Sequence, residues 1–153
     1  MLLIRLIKKL DHLKIPYALV GGHAVALHGA VRGTLDIDLV IKWSFKYLKE
    51  LEGALKNLGL TSRLPLTCEE VFNFKDEYIK NRNLIAWNFV NLKDPSEQVD
   101  LILTTDLSGK SVVSKKVGDF QIKVLAKKDL IEMKKQSGRK QDLIDIEALE
   151  KLK

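Results

Sequence analysis

The sequence has 153 residues, 46% of them hydrophobic and 30% charged, proportions that exclude a disordered, collagenous or membrane-embedded chain and fit one domain over residues 1–153. A chain of this size buries roughly 70% of the surface its unfolded form exposes, enough for one sizeable core. Twenty-six Lys and Arg against twenty Asp and Glu leave a formal charge of +6, which favours phosphates, nucleic acid or an acidic partner by long-range attraction without requiring any of them.

Leu3, Leu6, Ile7, Leu10 and Leu13 recur at helical spacing with Arg5, Lys8, Lys9 and Asp11 between them, predicting an amphipathic helix that Pro16 closes. Its charges are mixed through the apolar residues instead of preceding them, so no export leader is expected and the cytoplasm is the expected compartment. Tyr17 to Val20 reads as a strand, Gly21-Gly22 as a turn, and His23 to His28 as a short helix stopped by Gly29. Thr34 to Ile41 alternates so that Asp36, Asp38 and Val40 share one face of a strand, and Leu35, Ile37, Leu39 and Ile41 the other. Ser44 predicts the N-cap of a helix whose buried stripe is Leu48, Leu51, Leu55 and Leu58, with Gly59 as its stop. Thr67 caps a helix from Cys68 to Phe74; as the chain has one cysteine, no internal disulfide can form, which suits a reducing compartment.

Leu84 to Leu92 and Val99 to Thr104 read as strands joined by a polar connection, Lys93 to Gln98, that contains the turn signal Asp94-Pro95. A basic loop around Gly109 to Lys116, a strand from Phe120 to Val124, and helices Lys127 to Gln136 and Gln141 to Leu152 follow. This order predicts an α/β or α+β domain in which helices flank a mixed β-sheet. No segment approaches the ~18 consecutive apolar residues of a membrane helix.

Asp36 and Asp38 carry the sharpest chemical signal. Alternate residues of a strand project to one side about 6.5–7 Å apart, a spacing at which two carboxylates can share divalent cations such as Mg²⁺ or Mn²⁺. Fourteen residues ahead of Asp36 lies Gly22, after an apolar strand and before a helix, where free backbone N–H groups can meet phosphate oxygens. A phosphate cradle followed by a metal-binding strand is the pair of parts that a nucleoside triphosphate with its cations needs.

The run Val20-Gly21-Gly22, thirteen residues, then Asp36-Ile37-Asp38-Leu39 resembles the motif of the nucleotidyltransferase superfamily related to DNA polymerase beta. Val99-Asp100-Leu101-Ile102 has the setting of that family's third acidic residue. Leu130 to Lys134, Gly138 to Asp142 and Asp145-Ile146 are similar to the tail of its GG-type branch, which includes abortive-infection toxin-like transferases. The resemblance implies a nucleotidyltransferase-like fold with Mg²⁺ or Mn²⁺ held by Asp36, Asp38 and Asp100. It implies transfer of a nucleoside monophosphate from a nucleoside triphosphate to a hydroxyl on RNA, a protein or a small molecule, releasing pyrophosphate, with Asp100 taking the hydroxyl proton. Gly21 and Gly22 would meet the triphosphate, with Arg32, Thr34 and Lys134 as further candidates. Gly22 stands where many members have Ser, which removes one hydroxyl from that contact. Little chain remains for acceptor recognition, so a homodimer, a cognate partner protein or loops such as Lys110 to Lys116 are expected to supply it. The alternative reading is a regulatory protein of a toxin–antitoxin pair that keeps the nucleotide fold. A glycosyltransferase also uses Asp-x-Asp, but it generally needs a longer chain and does not require the diglycine.

Other residues are read structurally. His23 and His28 are expected to pack or cap, and His12 to lie on the surface; one Cys and three scattered His make no zinc ligand set. Trp87 and Phe89 could stack on a base, but core packing explains them better. Asp142 and Asp145 are expected to make helix-surface ion pairs near Arg139.

Overall fold

The structure is a computed structural model and describes residues 1–152. In chain order the elements are α1 (Leu2–His12), β1 (Tyr17–Val20), α2 (Gly21–Leu27), β2 (Ile37–Ile41), α3 (Phe45–Asn57), β3 (Thr61–Ser62), α4 (Cys68–Arg82), β4 (Ala86–Asn91), β5 (Asp94–Ile102), β6 (Val112–Val117), β7 (Phe120–Leu125), α5 (Lys127–Ser137) and α6 (Lys140–Glu150). The strands form one mixed sheet in the order β3-β4-β5-β2-β1-β7-β6, and with its helices this is the expected α/β architecture. The interior strand β1 is buried at all four positions, as an apolar run covered on both faces should be. It pairs antiparallel with β2 and parallel with β7, while β2 pairs parallel with β5. Leu6, Leu10, Leu19, Leu39, Leu48, Leu55, Trp87 and Phe89 belong to the core that these elements share.

Local chemistry sets the helix starts. Ser44 Oγ accepts the Tyr47 N–H at 3.1 Å, and Thr67 with Glu70 forms a reciprocal capping box, both bonds at 3.1 Å. Four departures from the boundaries that the sequence suggests are the largest; among the smaller ones, the diglycine read as a turn is the start of α2. β2 begins at Ile37, leaving Leu35 74% exposed in the preceding segment. α4 continues past Phe74 to Arg82, with non-helical dihedrals at Phe74 itself, so the expected stop is a kink. The turn between β4 and β5 is Leu92-Lys93 and not Asp94-Pro95, because the Asn91 side chain accepts the Lys93 N–H (3.0 Å) and closes the hairpin earlier. The polar residues after it extend β5, all of the first five being exposed or half-buried in the outer part of the hairpin. Val112 to Lys116 is likewise not a loop: it is the edge strand β6, paired antiparallel with β7, and two strands separate it from β2. Among the described residues no helix is long and apolar enough to cross a membrane.

Candidate active site

Strand register builds the centre. In the parallel β2–β5 ladder Asp38 is paired with Asp100, and in the antiparallel β1–β2 ladder it is paired with Val20. Register partners on adjacent strands project to the same face about 5 Å apart, so the two carboxyls stand side by side at the point where β1 runs into Gly21. Asp36, in the bend before β2, comes to the same place from two residues upstream. Burial, then the negative charges of Asp100 and Asp36 and a hydrogen bond with Asp100, push the Asp38 carboxyl up to about 7, with the Arg139 cation opposing the rise. Charge repulsion of this kind is relieved by a cation, and all-oxygen donors are those that Mg²⁺ takes.

The diglycine fits against this centre for steric reasons. Gly21 has φ +68° and opens α2; a Cβ there would run into the Asp38 carboxylate, lying 2.8 Å from its Cγ and 2.9 Å from its Cβ. Only glycine meets both demands. A Cβ on Gly22 would lie 2.7 Å from Thr34 Cβ and 2.9 Å from its Cγ2, so the space a serine would need is filled by Thr34. Gly22→Ser is therefore expected to lower stability by about 1–3 kcal/mol through overpacking, and Thr34→Gly in the same chain should restore most of it. Equal melting temperatures for Gly22→Ser with and without the Thr34 change would refute the packing argument.

A cleft of about 600 Å³ is lined by Gly21, Gly22, Arg32, Thr34, Asp36, Asp38, Asp100 and Lys134 together. Every residue singled out for chemistry from the sequence thus lines one cavity. Ile85, Ala86, Ile102, Thr104 and Thr105 continue its wall beyond Asp100, and Leu130, Met133, Ser137 and Arg139 continue it along α5 and the start of α6.

Comparison with known proteins follows the same line. No family model and no curated protein sequence matches the chain. Among solved structures, the antibiotic-resistance factor ANT(2'')-Ia superposes with a TM-score of 0.67 at 12% identity, covering 97% of this chain and 80% of that one. The lincosamide antibiotic adenylyltransferase LnuA, in its lincomycin-bound structure, gives 0.66 at 16% identity over 99% and 96% of the two chains. A nucleotidyltransferase-like protein from Paracoccidioides brasiliensis gives 0.60 at 19% identity over 97% and 73%. The chain has a nucleotidyltransferase-like fold.

Within this nucleotidyltransferase fold, an ion network along one wall was not legible beforehand. Asp142 and Asp145, expected on the helix surface, are each 2% exposed. Asp145 accepts from Arg32 Nε (3.1 Å), Lys134 Nζ (2.8 Å) and Gln141 Nε2 (2.9 Å). Asp142 accepts from the Arg139 backbone N–H and Nε, both at 3.0 Å, with Lys134 Nζ at 3.7 Å. Burial alone would raise both carboxyls; hydrogen bonds to Arg139 for Asp142, and to Lys134 and Gln141 for Asp145, hold them below the usual value. Lys134, 6% exposed, is thereby committed to two carboxylates, while the Arg32 and Arg139 guanidiniums are fixed at the cleft. The sequence signal for Arg139 was its place directly before a helix carrying two acidic residues, read as a surface pair for want of a tertiary partner.

The remaining residues pack. His28 Nε2 donates to the Leu125 carbonyl at 2.8 Å, tying the end of α2 to β7; burial first, offset by that bond, lowers its pKa. His23 Nε2 lies 3.5 Å from the Leu35 carbonyl. Trp87 and Phe89 are fully buried, with ring centroids 4.6 Å apart, and Trp87 Nε1 donates to Ser62 Oγ (2.8 Å), so neither can meet a base.

Proposed function

We propose that this chain is a metal-dependent nucleotidyltransferase that moves a nucleoside monophosphate from a nucleoside triphosphate to a hydroxyl acceptor and releases pyrophosphate. The observation that carries the reading is the side-by-side placement of Asp38 and Asp100 beneath Gly21, with Asp36 beside them. Among the described residues no group of three or more His, Cys, Asp or Glu side chains is placed to hold a metal ion by itself. Mg²⁺ in triphosphate sites does not need one, since it usually takes one or two carboxylates and completes its shell with water and phosphate oxygens. Asp36, Asp38 and Asp100 fit that requirement and would hold it. Bound there, divalent cations would neutralise charge on the entering and leaving oxygens of an in-line displacement at the α-phosphorus.

The protein's own groups do the rest. Gly21 and Gly22 line the cleft with the Asp38 carboxylate and Thr34 packed directly against them, so their missing side chains let the bend and the acids approach closely. Arg32 and Arg139, anchored through buried Asp145 and Asp142, supply positive charge at a fixed position, which costs little reorganisation when the triphosphate arrives. Lys134 serves them as the shared counter-charge of both aspartates. Thr34 backs Gly22 and keeps the bend in place. Asp100, at the far side of the row from Gly21, accepts the acceptor hydroxyl's proton. The structural neighbours include a lincosamide adenylyltransferase and an enzyme captured with adenylyl-2''-tobramycin, which makes ATP the first donor to test and a small hydroxyl-bearing molecule the first acceptor.

Purified protein incubated with each α-labelled nucleoside triphosphate, Mg²⁺ or Mn²⁺, and lincomycin, tobramycin or total RNA tests the reading. Labelled product and pyrophosphate are expected with the wild type and not with Asp36→Asn/Asp38→Asn. Equal labelling by the double variant, or no metal-dependent nucleotide binding by the wild type, would reject it.

A further inference from the structure

Asn88 on β4 is the register partner of Asp100 on β5, so the row of side chains that begins with Asp38 and Asp100 continues onto a third strand. Asn88 Nδ2 donates to Asp100 Oδ1 at 2.7 Å and to Gln98 Oε1 at 3.3 Å, and Gln98 Nε2 donates to the Pro95 carbonyl at 3.0 Å. A backbone carbonyl can only accept, so Gln98 must turn its NH₂ toward Pro95 and its oxygen toward Asn88. Asn88 must then turn its own NH₂ toward Gln98 and Asp100. This chain of amides has one permitted polarity, and it ends on a carboxylate of the reacting centre. It also has a cost: Asn88 Oδ1 is buried with no partner among the described residues. An unmet buried acceptor is destabilising, and an aliphatic side chain of similar size would remove it.

We infer that Asn88 is a positioning residue that fixes Asp100 for catalysis. It holds one carboxylate oxygen from the side away from Asp38, and the contact between the two acids stays open. The amide does this without a charge. A Lys or Arg at position 88 would occupy the same oxygen and repel a divalent cation, and an Asp would compete with Asp100 for a proton. This role rests on the nucleotidyl-transfer reading above. Partners that orient a metal-binding carboxylate typically affect metal affinity or activity by about 10–100-fold when removed.

Two variants of the full chain separate positioning from scaffolding: Asn88→Ala, which removes the amide, and Asn88→Leu, which keeps its size and also removes the orphaned oxygen. Mn²⁺ is titrated into each in the presence of a non-hydrolysable α,β-methylene ATP, bound ions are counted by electron paramagnetic resonance, and melting temperatures are recorded alongside. The wild type should bind two ions. Asn88→Leu should melt close to the wild type, since losing the orphaned oxygen offsets the bonds lost to Asp100 and Gln98, keep the tighter ion and the nucleotide, and weaken the second ion at least about tenfold; Asn88→Ala should show the same metal defect. A folded variant that holds both ions with wild-type affinity overturns the role. So does a large fall in melting temperature for both variants, which would make Asn88 scaffold only. A wild type that binds no metal–nucleotide removes the nucleotidyl-transfer reading itself, an outcome seen before any variant is compared.

Discussion

Asp38→Asn is expected to abolish nucleotidyl transfer while making the metal-free protein more stable. Activity should fall by at least about 10³-fold, the scale on which removing a preorganised charge from a reacting centre acts. The stability gain follows from the same carboxylate's setting. Burial, together with the Asp100 and Asp36 charges, pushes Asp38 from its ordinary 3.8 up to about 7 in the folded chain. A carboxyl raised in this way takes up a proton on folding, so the wild type loses stability as pH rises from near 3.8 to about 7, and then levels off. The loss is at most about 1.4 kcal/mol per pH unit and is reduced by solvent at the open cleft. Asparagine carries no charge and avoids it. In EDTA at pH 8 the variant should melt about 3 °C or more above the wild type, since about 1 kcal/mol moves a chain of this size by roughly 2–4 °C. Near pH 4 the two should coincide. Thermal scans at both pH values check this, and a variant that melts below the wild type at pH 8 would contradict it.

Lys134→Ala should have the largest effect on folding. The ammonium is almost fully enclosed and bonds Asp145 at 2.8 Å, with Asp142 at 3.7 Å. Removing it leaves two buried carboxylates short of a cation, a loss that typically costs about 3–5 kcal/mol. Lys134→Met, which restores the volume, should recover little, because the missing quantity is charge and not packing. The pH dependence distinguishes this from a cavity effect. In the wild type, burial works against the Asp142 and Asp145 anions, and their partners more than offset it, keeping both below the ordinary value. Their stabilisation is therefore present above about pH 4 and lost as pH falls through the folded values. Without Lys134 these carboxyls should protonate at higher pH, so the gap between variant and wild type should narrow on acidification below about pH 5. Urea melts at pH 7 and pH 4 measure it; a gap that does not change with pH would point to lost packing alone.

Much of the centre could be read from the chain because its signals are local. Val20-Gly21-Gly22 shows where a strand must bend, and Asp36-Ile37-Asp38-Leu39 brings both acids close together, although Asp36 arrives from the bend before β2 and not from the strand. Ser44 and Thr67 mark helix starts through bonds to residues three positions on. These features depend on backbone geometry over a few residues, and the sequence by itself determines them.

Tertiary structure alone decided which strands became neighbours. Asp100 stands beside Asp38, and Asn88 beside Asp100, because β2, β5 and β4 pair in one register, which no local pattern encodes. It also reversed the first turn of the last helix: Leu143 and Ile144 are 59% and 60% exposed while Asp142 and Asp145 on either side of them are buried. Hydrophobic periodicity weighs each side chain as if it were buried alone, and a lone carboxylate belongs in water. Here α5, the segment before β2 and the start of α6 bring Lys134, Arg32 and Arg139 to those two acids, so the charge compensation that makes their burial tolerable exists only once the chain has packed.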